Sequence, residues 1–288
     1  MSTLHISTPP QDLDFDLPSV RQVTLELMTL LNSGDASTQD IIATIRLDPA
    51  LTGRLLSYAN SPFLAPLSTI SDLESAVIRI GRNDVKTIFY RTVMRDAFAT
   101  TDPLLDALMR PIWIHSLAAS VALDKLMPVL RPHLTLGEDE QSFISTLGIM
   151  HNIGFLVIQH NYPQAFFDFF HSALPQSLDE FQEAERMAFA GLDHGLAGKY
   201  VLDHWYFPHC VSDIALNLFP SAHSAPDLLS AIRLSNHLAI CADLSFYPSV
   251  PENFWIQSIP STWDLNAIMD LVPGIAQEVG THLALLQH

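Results

Sequence analysis

Histidines are the side chains of this 288-residue sequence best suited to chemistry, and there are thirteen of them. An imidazole can ligate a transition metal, or act as a general acid or base near neutral pH. His151 stands out because it interrupts, together with Asn152, the most apolar run of the chain, residues 147–158. Ser116 follows His115, but no acid that would complete a Ser–His nucleophile can be identified. The sequence has no glycine-rich phosphate loop and no Cys-x-x-Cys pair, so metal, ligand and structural roles of the histidines are the alternatives to weigh.

Helices must position these side chains, because the apolar residues recur at helical spacing and no run alternates as a strand would. Capped helix starts are predicted at Ser37 or Thr38, at Asp48-Pro49 and at Ser71, and a helix end is predicted at Gly81. Helices are predicted over residues 18–32, 38–45, 50–60, 71–81, 84–99, 104–127, 139–151, 161–172, 178–190, 194–204, 209–218, 226–243 and 263–286. Prolines are expected to separate the later ones, at Pro128, Pro132, Pro163, Pro175, Pro208, Pro220 and Pro248. The predicted fold class is all-α.

The charge balance excludes several classes of partner. Lys and Arg total 14 against 31 Asp and Glu, a formal net charge of −17. Such a surface repels phosphate backbones and anionic lipid head groups, so neither nucleic-acid nor membrane binding is expected. Because no signal peptide and no apolar run of about 20 residues is found, a cytoplasmic location is expected. Cys210 and Cys241 lie in apolar surroundings and are expected to be buried structural thiols.

Five ordered blocks between about residues 17 and 245 carry a family resemblance. They are residues 47–61 (Leu47-Asp48-Pro49 to Ala59-Asn60-Ser61), residues 70–81, Trp113-Ile114-His115-Ser116, Gly148-Ile149-Met150-His151-Asn152-Ile153-Gly154, and Asp193-His194-Gly195 with Trp205 and Pro208 after it. Together they resemble the HD-related output domain (HDOD) family, an all-helical bacterial signalling module. The resemblance implies an N-terminal helical bundle packed on a C-terminal, degenerate HD-type bundle.

The same resemblance predicts how the chain is divided. Residues 1–16 are expected to form a flexible leader, and residues 17–100 the N-terminal helical subdomain. Residues 101–245 are expected to form the degenerate HD-like subdomain, and residues 246–288 a C-terminal helical extension.

HD enzymes, to which the resemblance extends, hydrolyse phosphoesters with one or two divalent metals. A His, a His-Asp pair and a late Asp hold the metal, which generates hydroxide and polarises the phosphoryl oxygen. His115 and His151 keep the first two positions in this chain. Asn152 replaces the Asp of the pair, and Asn236 replaces the late Asp. An amide keeps the shape of a carboxylate but not its charge, so hard divalent ions are expected to bind poorly.

His194 stands where some catalytic relatives have a further histidine ligand. Those relatives also carry a His-His pair of ligands, and the corresponding positions in this chain are Leu218 and Phe219. The prediction is that no metal and no cofactor is bound. If a metal were held, it would be Zn²⁺ or Ni²⁺ on His115, His151 and His194, provided that the three rings converge. In the alternative without metal, the imidazoles hydrogen-bond the two Asn amides in a polar core, or line a pocket for a small ligand.

Two other groups of residues form a candidate interaction surface. Arg54 and Tyr58 could line a groove, although structural packing explains them as well. A second group lies within five positions of one helix and covers more than one of its faces, and it consists of Phe166, Phe167, Phe169 and Phe170. Burial in the core is the default for such a helix, and a partner interface is the alternative.

The leading hypothesis is a non-catalytic signal-transduction or regulatory module that acts through protein–protein or small-ligand binding. Its partners would be signalling proteins, with a small phosphorylated ligand as an additional option. One alternative is a metal-dependent phosphohydrolase acting on a nucleotide or cyclic dinucleotide. Another is a nucleotide-binding receptor that has kept the pocket and lost the chemistry.

Overall fold

The computed structural model describes residues 16–17, 20–33, 35–62, 64, 68–172, 178–205, 207–219, 225–246 and 260–285. These residues form fifteen α-helices and one short 3₁₀ turn, and they contain no strand. In chain order the helices are α1 (Gln22–Asn32), α2 (Thr38–Ile45), α3 (Pro49–Ala59), α4 (Leu73–Ile80), α5 (Arg82–Ala97), α6 (Pro103–Leu130), α7 (Glu138–Met150), α8 (Ile153–Asn161), α9 (Pro163–His171), α10 (Leu178–Ala188), α11 (His194–His204), α12 (His209–Leu216), α13 (Leu228–Cys241), α14 (Leu265–Met269) and α15 (Val272–Leu285), and the 3₁₀ turn is Arg131–His133. The all-α prediction is confirmed.

Local capping explains where the N-terminal helices begin and end. The Ser37 side chain accepts the Asp40 backbone N–H and starts α2. Asp48 accepts two backbone N–H groups at the start of α3, with Pro49 in the first turn. Gly81 adopts a φ of +84°, which ends α4 where a side chain would be strained. These three predictions are confirmed, whereas the cap of α4 is Asp72 and not Ser71.

Three features of the C-terminal helices differ from the prediction. Pro128 does not end a helix, because α6 continues through both Pro111 and Pro128 to Leu130. Helix α8 was not predicted, since every residue from Ile153 to Gln159 is buried and no amphipathic period marks it. The single helix expected at 263–286 is two helices, α14 and α15.

One hydrophobic core joins the described helices, from Leu27 in α1 to Val279 in α15. Helix α6 lies at its centre and packs on α7, α13 and α15, while α5 packs on α7 and links the N-terminal helices to the rest. The domain boundaries near residues 100 and 245 stay predictions. The expected leader lies outside the described residues except for Asp16. Cys210 and Cys241 are only partly buried, so their expected burial is corrected.

Two glycines allow the helices around the predicted site to approach closely. A Cβ on Gly148 would lie 2.3 Å from the Ser120 Cα of α6, and one on Gly154 would lie 1.7 Å from the His194 backbone oxygen. Only a residue without a side chain fits at either contact. No helix in the described part of the chain is both long and apolar enough to cross a membrane.

Candidate functional site

Five side chains predicted from the sequence lie on three helices and on the turn between α7 and α8. His115 is in the middle of α6, His151 follows the last residue of α7, and Asn152 precedes α8. His194 is the first residue of α11, and Asn236 lies within α13. Each is at most 1% exposed. The helices therefore bring these residues into the protein interior, where bulk water does not reach them.

His115, His151 and Asn236 meet in one contact. The Asn236 Oδ1 atom lies 2.6 Å from His115 Nε2 and 3.0 Å from His151 Nε2. The Asn236 Nδ2 group donates to the Ile232 backbone oxygen at 2.9 Å, which anchors the amide to its own helix. Two of the three predicted imidazoles thus contact one of the two predicted Asn amides.

The other nitrogen of each ring faces a backbone carbonyl. His151 Nδ1 lies 2.7 Å from the Gly148 oxygen, and His115 Nδ1 lies 3.2 Å from the Leu244 oxygen. A carbonyl only accepts, so a hydrogen bond there needs the proton on Nδ1 and leaves a lone pair on Nε2. Asn236 presents its oxygen to both rings, while its NH₂ group donates to the Ile232 oxygen. Since a neutral imidazole has one N–H, each ring donates either from Nε2 to Asn236 or from Nδ1 to its backbone carbonyl.

Burial keeps both rings neutral. It lowers the pKa of His115 to about 4, with the Asn236 hydrogen bond partly opposing. It lowers the pKa of His151 to about 3, and repulsion from His115 adds to the effect. Near neutral pH the contact between the two rings and the amide therefore carries no net charge.

The donor set does not fit the divalent ion of HD enzymes. No group of three or more His, Cys, Asp or Glu side chains that could hold a metal occurs among the described residues. In the described residues His194 does not join the other two rings in such a group, so the three-imidazole alternative stays a prediction that this arrangement does not support. At the two positions where the family resemblance implies carboxylates that would offset the lost hydration of a hard cation, this chain carries Asn152 and Asn236, whose amides are neutral.

His194 instead pairs with Glu185, a residue that the sequence reasoning missed. Its Nδ1 lies 2.7 and 2.9 Å from the two Glu185 carboxylate oxygens, and its ring stacks on Phe155 with centroids 4.2 Å apart. Glu185 is fully buried, and burial raises the pKa of its carboxyl group while His194 opposes that rise. The sequence does contain a signal that Glu185 is buried. It lies four residues from both Phe181 and Phe189, in line with the apolar face of α10.

The chain after α13 covers the side of the site next to His115. Asp243 adopts a φ of +59°, and the Leu244 N–H bonds back to the end of the helix. This turn places the Leu244 oxygen against His115 and the Phe246 ring at 5.2 Å from it, edge to face. Phe246 also contacts Phe155 at 5.0 Å. An aromatic ring of the same chain fills the space beside the histidines.

Arg233 is a second buried charged residue that the sequence reasoning missed. It is fully buried on α13 and donates to the backbone oxygens of Asn217, Leu218 and Phe219 at 2.8 to 2.9 Å. Those bonds hold the segment on which the His-His pair of catalytic relatives would fall. Both predicted apolar side chains there are buried, and Phe219 packs edge to face on His194 at 4.5 Å.

The candidate surface on α9 needs correction. Phe166 and Phe169 are 0% and 7% exposed, so they belong to the core and present no surface to a partner. Phe167 and Phe170 are partly exposed, and Phe170 packs against the core as well. The reason is the helical period, which turns positions 166, 169 and 170 inward.

The pair on α3 is also less exposed than an interaction surface would be. Tyr58 is 9% exposed and stacks on the His282 ring of α15, with centroids 5.9 Å apart. Arg54 is partly buried, and its guanidinium lies 3.6 Å from the Asp96 carboxylate on α5. Tyr58 does line a groove, which is described below.

A comparison with family profiles gives one match, the HDOD domain, over residues 17–217. The chain belongs to the HDOD family. The matched range includes His115, His151, Asn152 and His194. Asn236 lies beyond the matched range, so we group it with the other candidate site residues because its amide contacts His115 and His151.

Solved structures with the same fold support this assignment. An HDOD domain protein with unknown function from Geobacter sulfurreducens has a TM-score of 0.62 and 18% identity, with 92% of each chain covered. A candidate phosphohydrolase from Shewanella amazonensis SB2B has a TM-score of 0.65 and 20% identity, with 93% of this chain and 95% of that chain covered. A protein named for signal transduction from Marinobacter aquaeolei VT8 has a TM-score of 0.68 and 14% identity, with 93% of this chain and 59% of that chain covered. No curated protein matches the chain significantly.

Proposed function

We propose that this HDOD protein is a non-catalytic signal-transduction module that acts by binding other molecules. The observation that carries the proposal is the neutral, buried contact of His115 and His151 with the Asn236 amide. Hydrolysis of a phosphoester by the HD mechanism needs a cation that activates water, and the cation needs anionic ligands. Both positions where the family resemblance implies a carboxylate carry an asparagine.

The covering of the site supports the same proposal. A phosphoester substrate would have to displace Phe246 from its contacts with His115 and Phe155. It would then bring its own negative charge next to a site that offers no cation. A buried phosphate without positive partners is strongly unfavourable.

The partner we propose is a signalling protein with a basic face. The formal net charge of −17 would steer such a partner towards this chain and would repel an acidic one. Exposed charges act over about 10 Å at moderate ionic strength, so this association should weaken as salt is added.

Elemental analysis of the purified protein, combined with hydrolysis of bis(p-nitrophenyl) phosphate in the presence of Mg²⁺, Mn²⁺ or Zn²⁺, tests the proposal. We expect much less than one metal per chain, and the same background turnover for the wild type and for His151→Ala. One metal per chain, with turnover that His151→Ala abolishes, would establish the phosphohydrolase alternative. If the wild type is inactive, the Asn152→Asp/Asn236→Asp double variant shows whether the two carboxylates alone restore metal binding.

A further inference from the structure

A groove separate from the histidine site opens where α3, α5, α6 and α15 meet. Its cavity volume is about 70 Å³, it is partly open to solvent, and none of its lining residues is His115, His151 or Asn236. Tyr58 comes from α3, Asp84 and Arg91 from α5, and Glu278 from α15. The groove therefore joins helices of the predicted N-terminal subdomain, the HD-like subdomain and the C-terminal extension.

Asp84 and Arg91 line the same groove with opposite charges. They are seven residues apart on α5, two helical turns or about 10 Å along the axis, so both side chains lie on one face. Among the residues that the structure describes, neither the Asp84 carboxylate nor the Arg91 guanidinium has an ion-pair or hydrogen-bond partner. Two opposite charges of one groove thus lack a direct contact with each other, and the nearby His282 offsets the charge of Asp84 only in part.

Burial disfavours the charge of the partly buried Arg91 and, in part, that of the more exposed Asp84. Protein atoms surround the Arg91 guanidinium almost completely, although the groove leaves it some solvent contact, and burial lowers its pKa to about 10. Burial also raises the pKa of Asp84; the nearby His282 opposes the rise and Glu278 adds to it. A ligand with matching charges would relieve both effects.

The third charged group is already compensated within the chain. The Glu278 carboxylate lies 2.7 Å from Lys125 Nζ and 3.8 Å from His282 Nε2. Asp124 adds another carboxylate to the lining. The charges of the groove are therefore one guanidinium at Arg91 and an excess of carboxylates around it.

This charge pattern excludes ligands with a single type of charge. A phosphate dianion suits Arg91 but is repelled by three carboxylates, and a polyamine suits the carboxylates but is repelled by Arg91. A metal ion lacks a suitable site, since the described residues contain no group of three His, Cys, Asp or Glu side chains that could hold one.

We propose that this groove binds a small zwitterion, with its carboxylate on the Arg91 guanidinium and its ammonium group on the Asp84 side. A free amino acid of the α or ω type belongs to this chemical class. Arg91 offers a carboxylate two parallel N–H donors, and Asp84 offers an ammonium group a charged acceptor. Because the ligand would contact helices of all three predicted segments, its binding would stabilise one arrangement of them. The proposal adds an input site to the proposed signalling role but does not depend on the histidine site being inactive.

Binding is tested by thermal shift and calorimetry with the full chain and a panel of glycine, 4-aminobutanoate and 5-aminopentanoate at millimolar concentration. Acetate and methylammonium, which carry the two charges separately, are the single-charge controls. We expect at least one zwitterion to raise the melting temperature, and neither single-charge compound to do so at the same concentration. Arg91→Gln and Asp84→Asn should each weaken binding by about ten-fold or more.

Arg95→Gln is the matched control, because Arg95 lies on the same helix with its side chain 52% exposed and pairs with Asp96. It should bind the zwitterion like the wild type. Since Asp84 is exposed, Asp84→Asn should fold even if Arg91→Gln does not, and Arg91→Lys keeps the charge while losing the two-pronged contact. The proposal is overturned if no zwitterion binds, if Asp84→Asn and Arg91→Lys bind as well as the wild type, or if acetate or methylammonium binds as tightly alone.

Discussion

The close contact at Gly154 leads to a sharp prediction about stability. An alanine Cβ there would lie 1.7 Å from the His194 backbone oxygen and 2.8 Å from the Gly198 backbone nitrogen. Ordinary contact begins near 3.4 Å, so α8 and α11 would have to separate by about 1.5 Å. Because both obstructing atoms belong to the backbone, no side-chain rotation can relieve the overlap.

The cost follows from that separation. Overpacking a core costs about 1–3 kcal/mol, and a backbone clash belongs at the upper end. The better helix propensity of alanine offsets about 1 kcal/mol. We expect Gly154→Ala to lower the free energy of unfolding by about 2 kcal/mol, which is roughly 4–8 °C in melting temperature. Loosening α11 should also weaken the stack of His194 on Phe155.

Gly53→Ala is the matched control, because a Cβ at Gly53 in α3 meets nothing within 4 Å. It should raise the free energy of unfolding by about 0.5–1 kcal/mol, through helix propensity alone. Urea unfolding followed by circular dichroism measures both variants. If Gly154→Ala is as stable as the wild type while Gly53→Ala behaves as expected, the close contact of α8 and α11 does not exist.

Four further predictions concern the buried polar groups and the turn after α13. His115 and His151 have folded pKa values of about 4 and 3, below the unfolded value of about 6.5, so the unfolded state takes up protons first on acidification. Each ring should lower the free energy of unfolding by about 1.4 kcal/mol per pH unit as the pH falls from about 6.5 towards 4. In urea unfolding, His151→Gln should halve the pH dependence that the pair of rings contributes. Asn236→Asp should raise the pKa of His151 by about 1–3 units in an NMR titration, because a carboxylate would then face the ring. An unchanged pKa would contradict the contact between residue 236 and His151. Arg233→Met should lower the free energy of unfolding by about 3 kcal/mol or more, because three buried carbonyls lose their hydrogen-bond donor. A smaller loss of stability in thermal unfolding would mean that water replaces the guanidinium. Asp243→Gly should raise stability by about 1 kcal/mol, because glycine tolerates the positive φ, and a destabilised variant would show that the side chain is needed there.

Helix boundaries were predictable where their cause is local. The Asp48 side chain caps α3 through backbone groups two and three residues away, and the conformation of Gly81 ends α4 by itself. Helix α8 was missed because it is buried on all sides, which removes the amphipathic period. Pro128 was misread because the residue type alone does not show that the long helix α6 continues through it.

The sequence by itself determined the helical fold and the family, since these depend on residue types and spacing along the chain, and it predicted which five polar residues occupy the HD positions. Only the tertiary structure decided which of them touch. Asn236 reaches His115 and His151 across 121 and 85 residues of sequence, whereas His194 turns away to Glu185. Contacts over such separations depend on how the helices pack. Packing involves many side chains from distant parts of the chain, so no short stretch of sequence determines it. The neutral state of the two histidines follows from the same cause, because burial is a property of the folded chain.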